Sequence, residues 1–172
     1  VLNYGSGGAG TTNHLANELL KYLQKINVVH VPYKGATLAT VAAISGEVDQ
    51  TIVSVASILS LIKQGKVRPI VVLSEKRVAN LPDVPTSTEA GYPEFKMSIW
   101  YAMFAPANTP RDIINKLSSE AQKALDSKDL RATLDSQSIN PWYGTPEQLG
   151  ALLKAEIPRY ATIVKSAGIQ QQ

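Results

Sequence analysis

From Gly5 to Gly10 the chain reads GSGGAG, a G-x-G-x-x-G spacing, and TTNHLANELL follows it with the apolar period of a helix. A glycine turn that runs into a helix gathers free backbone N–H groups and the positive end of the helix dipole, an arrangement that favours a negative charge. The hydroxyls of Ser6, Thr11 and Thr12 add donors at the same place. The spacing is also that of a dinucleotide site, but such a site needs an acidic residue about 20 positions on, at the end of the second strand, to take a ribose hydroxyl. That region reads His30-Val31-Pro32-Tyr33-Lys34, and neither Asp nor Glu stands anywhere from Lys21 to Gly46. The nicotinamide and flavin reading therefore fails, no cofactor is expected, and a small anion remains. The alternative is that the glycines only make a tight turn and Thr11 only caps its helix.

The other reactive side chains are few. Two histidines and no cysteine give no basis for a metal site, and none is expected. His14, three positions into the helix, reads either as a donor to a ligand or as a local cap, and His30 as a hydrogen-bonded core imidazole. Ser6 with His14 is the one nucleophile–base pair close in sequence, and no acidic orienter is evident, so no catalytic residue is assigned. Tyr33 reads as strand-end packing, while Lys34 reads as an ion-pair partner or a solvated charge. Trp100-Tyr101, read from the residues alone, is simple packing. With 17 basic and 14 acidic residues scattered through the chain, there is no Lys/Arg cluster to serve a nucleic acid.

The elements that must position the turn follow from periodicity. The 172 residues, 44% apolar, suffice for one good core or two small lobes. Strand and helix alternate: Val1–Tyr4 extended, Thr12–Gln24 helical, Val28–Val31 extended, Ala36–Ile44 helical, Gln50–Val55 extended, Ala56–Lys63 helical, and Val67–Leu73 an apolar strand. An α/β lobe with an open sheet is expected. From Ser74 to Phe95, Pro82, Pro85, Gly91 and Pro93 mark a long irregular connection around one helical turn. Met97–Ala105 then reads as a strand. Thr109-Pro110 opens a helix with an N-cap, a proline at the first position and Asp112 in the first turn. Thr145-Pro146-Glu147-Gln148 is a capping box ahead of a last helix, which Pro158 should kink. No stretch carries about 18 consecutive apolar residues, and VLNYGSGG lacks the regions of a signal peptide.

Four stretches, YGSGGAGTTNHLANELL, VVHVPYKGATLATVAAISGEVDQTIVSVASILSLIKQGKVRPIVVLS, LPDVPTSTEAGYPEF and WYAMFAPANTPRDIINKL, stand in this order. Together they resemble the extracytoplasmic solute receptors of the tripartite tricarboxylate transporter system, the Bug family. The resemblance covers essentially the whole chain. It implies a type II periplasmic-binding-protein-like α/β fold, two lobes closing on a small carboxylate, delivery to a membrane permease, a periplasmic location and no catalysis. It also implies ligand contacts at Ser6, Gly8, Gly10, Thr11 and Thr12, and at Ser54 and Val55 after the strand that follows G-x-V-D. Read from the residue alone, Ser54 is a turn or cap serine; the resemblance also puts Trp100-Tyr101 where the chain crosses between lobes, which implies cleft lining as the alternative to packing. An α/β enzyme acting on a small anionic substrate is the alternative.

Receptors of this family begin with a first-lobe segment that this sequence is expected to lack. Residues 1–98 are then one complete α/β lobe, and 99–172 the C-terminal portion of the other. The stripes Ile113, Ile114, Leu117, Ala121, Leu125 and Leu149, Leu152, Leu153, Tyr160, Ile163 would lose their usual cover. A homodimer, or a retained N-terminal fragment, is expected to supply it.

Overall fold

The computed structural model describes residues 1–169. Its elements in chain order are β1 (Asn3–Ser6), α1 (Thr12–Gln24), β2 (Val29–Pro32), α2 (Ala36–Ser45), β3 (Gln50–Thr51), α3 (Val55–Lys63), α4 (Arg111–Asp126), α5 (Lys128–Ser136) and α6 (Pro146–Ser166). The chain divides into two compact units, Val1–Ile99 with the segment from Arg159 onward, and Trp100–Pro158.

In the first unit each strand leads into a helix, and the three strands pair in parallel in the order β2-β1-β3. Tyr4 lies opposite His30 on one side and Gln50 on the other, and Ser6 lies opposite Pro32. Period-two alternation points Tyr4 and Ser6 to the same face of the central strand, and both are fully buried. The helices stop where side chains stop favouring them. Lys25 ends α1 in the left-handed conformation (φ 51°), and Gly46 ends α2 (φ 78°), where the N–H groups of Glu47 and Val48 donate back to the Ala42 carbonyl.

Two apolar clusters hold this unit. Ala16 and Leu19 of α1 pack with Phe95, Met97 and Ile163, joined at the margin by Leu15, Ile52 and Tyr160. Leu59 of α3 packs with Val72, Leu81 and Val84, with Val55 and Ile62 beside them. The proline-rich connection contributes to both. Within it Thr86 and Glu89 form a reciprocal cap: the Thr86 N–H donates to Glu89 Oε2 (2.8 Å) and the Glu89 N–H to Thr86 Oγ1 (3.1 Å). Arg77 donates to both Glu89 carboxylate oxygens, and with the Thr86 N–H it holds that carboxyl below its ordinary range.

Several expectations are corrected. Val67–Leu73 forms no strand: Pro69 has no N–H to give a ladder, and pairing shrinks to a single bridge between Val72 and Thr86. Met97–Ala105 is not a strand either, although the Met97 N–H donates to the Leu73 carbonyl (3.2 Å). Beyond Met97 the apolar residues Tyr101, Met103 and Phe104 are exposed. The third strand is only Gln50–Thr51, because the backbone leaves the sheet at Ile52 and α3 already starts at Val55. Thr109 does not cap α4. Its hydroxyl donates to the Pro106 carbonyl (2.8 Å), and Pro110 occupies the cap position.

In the second unit α4, α5 and the first part of α6 bury no residue fully. The capping box is present: the Thr145 N–H donates to Gln148 Oε1 (2.8 Å) and the Gln148 N–H to Thr145 Oγ1 (3.3 Å). Arg111 pairs with Glu147 and pushes its carboxyl down to about 2. Pro158 lies inside α6, and the helix runs on to Ser166.

Of the second expected stripe, Ile163 is taken up by the first unit's core, whereas Leu117 of the first stripe stays 43% exposed. Ile163→Ala is therefore expected to cost about 2–5 kcal/mol, and Leu117→Ala under about 1 kcal/mol. Urea unfolding followed by circular dichroism measures both. Equal losses would mean that Ile163 does not carry the first core.

Candidate functional site

Parallel pairing brings the ends of β1, β2 and β3 to one edge of the sheet, and α1, α2 and α3 start from that edge. The loops there touch. A Cβ added at Gly7 would lie 2.9 Å from the Ala36 nitrogen and 3.2 Å from the Gly35 carbonyl carbon, so the β1–α1 turn passes the start of α2 at a distance only glycine permits. Asn13 reaches the other way, donating from Nδ2 to the Ile52 carbonyl at the end of β3. Three helix N-termini thus lie side by side. None has a side-chain cap and none has an acidic residue in its first turn. By contrast α4, α5 and α6 carry Asp112, Asp129 and Glu147 in theirs. The sheet edge therefore keeps its partial positive charges uncompensated by the protein.

The turn is shaped by groups beneath it. Gly8 adopts φ 120°, which a side chain rarely tolerates. Its N–H donates to Ser6 Oγ (3.1 Å), and its carbonyl accepts from Thr11 Oγ1 (2.7 Å). Ser6 Oγ also shares a 2.6 Å hydrogen bond with His30 Nε2. The Gly10 N–H donates to His14 Nδ1 (3.0 Å). Ser6, Gly8, Gly10 and Thr11 are thus brought together, with these donors turned inward to the protein. Thr12 differs: it is the first residue of α1, partly exposed, and its hydroxyl has no partner among the described residues. The first-turn N–H groups of Thr12, Asn13 and His14 have no intrahelical acceptor, as at any helix start.

Ser54 is the cap residue of α3, but its hydroxyl donates to Ser57 Oγ (3.1 Å) rather than to a backbone N–H. Val55 opens α3 with its side chain in the Leu59 cluster, leaving its backbone at the edge. On β2, Tyr33 donates to Glu47 Oε1 (2.9 Å) just past the strand end, and Lys34 is exposed.

Sequence reasoning missed the polar stack under the turn. His14 and His30 lie ring on ring, 4.0 Å between centroids at 13°, and Tyr4 stacks on His30 at 4.9 Å. Tyr4 donates to Glu18 Oε1 (2.6 Å), and Lys21 donates to the same oxygen (2.7 Å). The signal was present: His14, Glu18 and Lys21 recur at helical spacing on one face, and Tyr4 and Ser6 alternate on the strand that α1 covers. Burial, the largest influence, lowers the affinity of both imidazoles for a proton. Glu18 opposes this, and Lys21 adds to it. Burial and the Glu18 carboxylate raise the Tyr4 phenol.

The serine–histidine pair is Ser6 with His30, not Ser6 with His14. It does not form a nucleophile site, because Ser6 is 0% exposed and its oxygen is already bonded to the Gly8 N–H and to His30. Among the described residues there is no group of three metal-ligating side chains, and no helix is long and apolar enough to cross a membrane.

Residues 1–169 match the tripartite tricarboxylate transporter family receptor. A UPF0065 protein from the tcbD-tcbE intergenic region of Pseudomonas sp. (strain P51) is 37% identical over 164 residues, 95% of this chain and 49% of that one. An R. palustris protein solved with adipate superposes with a TM-score of 0.86 at 32% identity, over 98% of this chain and 56% of that one. MatC of Rhodopseudomonas palustris with bound malate does so with a TM-score of 0.79 at 32% identity, over 95% and 56%. The chain spans about half the length of the first of these relatives, and its fold is that of the periplasmic solute-binding proteins: the structure of periplasmic binding protein BugD superposes with a TM-score of 0.81 at 30% identity, over 99% of this chain and 58% of that one.

The lowered imidazoles make stability depend on pH. An unfolded histidine takes up its proton near about pH 6.5, whereas His14 and His30 resist it when folded. Below that pH the unfolded chain binds more protons, so the folded state loses stability as the pH falls, and keeps it in full above. Melting temperature is expected to drop between about pH 7 and 5.5, and less in His14→Asn with His30→Gln. A flat profile in the native chain would contradict the neutral stacked pair.

Proposed function

The chain belongs to the tripartite tricarboxylate transporter receptor family, and from that premise we propose that it serves an extracytoplasmic solute-binding receptor, captures a small carboxylate in the periplasm and presents it to a membrane permease. The observation that carries the reading is the sheet edge, where α1, α2 and α3 begin without a capping side chain or an acidic residue. A carboxylate there completes N–H groups that the protein leaves open, in the field of three aligned helix ends. That two relatives were solved with adipate and with malate supports a carboxylate as the ligand.

Within the site the roles divide. Thr12, with its open hydroxyl and N–H, and the N–H of Val55 face the ligand. Ser6, Gly8, Gly10 and Thr11 form the wall that sets their position, and Ser54 flanks them from α3. Residues 1–98, joined by the segment from Arg159 onward that lends Ile163 to their core, act as the ligand-binding lobe, and the second unit, Trp100–Pro158, as part of its companion lobe. Exposed apolar side chains of the second unit, such as Ile113 and Leu117, are covered by a second copy of the chain or by a first-lobe segment. The receptor reading has no chemical step, so its ligand returns unchanged.

Melting-shift and calorimetric titration of the chain against mono-, di- and tricarboxylates and aromatic acids tests this. At least one carboxylate should bind. Gly8→Val, which puts a β-branched side chain at φ 120° beside the turn, should reduce that affinity at least about tenfold while the far-ultraviolet spectrum is retained. Millimolar NAD should give no shift, as β2 ends in Tyr33-Lys34 without an acidic ribose acceptor. Unchanged carboxylate affinity in Gly8→Val would remove the turn from the site, and conversion of a bound ligand would favour an enzyme.

A further inference from the structure

We propose that His14, as a neutral imidazole stacked on His30, positions the glycine turn, and that acid releases the turn and with it the bound carboxylate. The inference rests on the carboxylate reading above for its second half only. The first half stands on the geometry of a side chain that no ligand contact requires.

His14 is 6% exposed, and its Nδ1 accepts the Gly10 N–H at 3.0 Å. Only the unprotonated nitrogen has the lone pair to do so. Its proton must therefore sit on Nε2, 3.8 Å from Glu18 Oε1. Protonation at Nδ1 would set two N–H groups head to head, and the Gly10 backbone would have to turn away. Gly10 lies directly before Thr11, the cap residue of α1, so its displacement moves the first turn of the helix. Gly10 itself has room to move, since a Cβ there would meet nothing within 4 Å, and the nearest other tie is the bond from Thr11 Oγ1 to the Gly8 carbonyl.

The surroundings keep the ring neutral until the medium forces it. From β2, His30 stacks face to face at 4.0 Å, so a charge on one ring opposes a charge on the other. From β1, the Tyr4 ring lies 6.4 Å away and its hydroxyl is used on Glu18. On α1 itself, Glu18 is the one anion near His14, and Tyr4 and Lys21 already share its Oε1. Lys21 adds a like charge. The strand β3 offers only uncharged Gln50, bonded to Asn17, and α2 has no titratable residue. Where the end of α6 approaches Glu18 and Lys21 it presents Ser166 and Ala167. Burial lowers the proton affinity of both imidazoles in the same sense.

An isotope-labelled chain titrated by NMR tests the hold on the turn without any ligand. The Gly10 amide is expected to shift with the His14 imidazole at one common midpoint below about pH 6.5, while the Leu59 and Val84 amides of the other core stay in place. In His14→Asn, whose side-chain oxygen takes the Nδ1 position but does not titrate, the Gly10 shift should disappear. A Gly10 amide that ignores His14, or an imidazole already charged at neutral pH, overturns the proposal. Calorimetry with adipate and with malate at neutral and acid pH tests release. The native chain should lose about tenfold more affinity on acidification than His14→Asn, the change carried by one pK unit, since the variant also reports the probes' own protonation. Equal losses overturn the release. If neither these probes nor any other carboxylate binds at neutral pH, the functional reading fails and release fails with it, and the NMR titration still decides whether His14 holds the turn.

Discussion

The parallel register of three short strands governs everything built at the sheet edge. With β1 between β2 and β3 and all three running the same way, each strand must hand the chain to a helix at the same edge. Helix N-termini of like polarity are then forced together, and three positive dipole ends repel unless something negative stands before them. Most proteins answer with a capping side chain or an acidic first turn, as α4, α5 and α6 do here. Their absence from α1, α2 and α3 leaves the positive edge on which the proposed carboxylate site rests.

Close approach of the loops adds a second constraint. Gly7 passes the backbone of Gly35 and Ala36 without room for a Cβ, which locks the first turn against the second. The turn then depends on a polar layer that lies beneath it and away from solvent. Ser6, His14, His30, Tyr4 and Glu18 are linked by hydrogen bonds and ring contacts, which offset the cost of taking these polar side chains out of water. The same layer gives the site its rigidity and its sensitivity to protons, since an imidazole that accepts a backbone N–H can do so in one protonation state only.

The receptor fold follows from these features in a chain that spans about half of its first curated relative. One α/β unit supplies a built edge, and the second unit, Trp100–Pro158, carries helices whose apolar residues remain open. The family relation gives these halves a common context: an open parallel sheet of this kind binds small ligands at the carboxyl ends of its strands.

Sequence alone determined the glycine turn and its helix, the βα alternation of residues 1–63, the capping box at Thr145, the absence of a ribose acceptor and the family. All of these are written in local spacing, where one residue's neighbours along the chain are also its neighbours in space. Tertiary structure decided the rest. Val67–Leu73 and Met97–Ala105 look like strands by composition, but a strand exists only where a partner backbone answers it, and pairing cannot be read from one segment. His14 and His30 stand sixteen places apart and carry no mutual signal. They meet because the register places His30 beside Tyr4 while α1 packs back over the strand. The inward direction of the Gly8 and Gly10 donors was likewise beyond a linear reading. Which way a backbone N–H points is set by φ, ψ and its acceptor: Ser6 Oγ, bonded in turn to His30 of the neighbouring strand, takes the Gly8 N–H, and His14 Nδ1 takes that of Gly10.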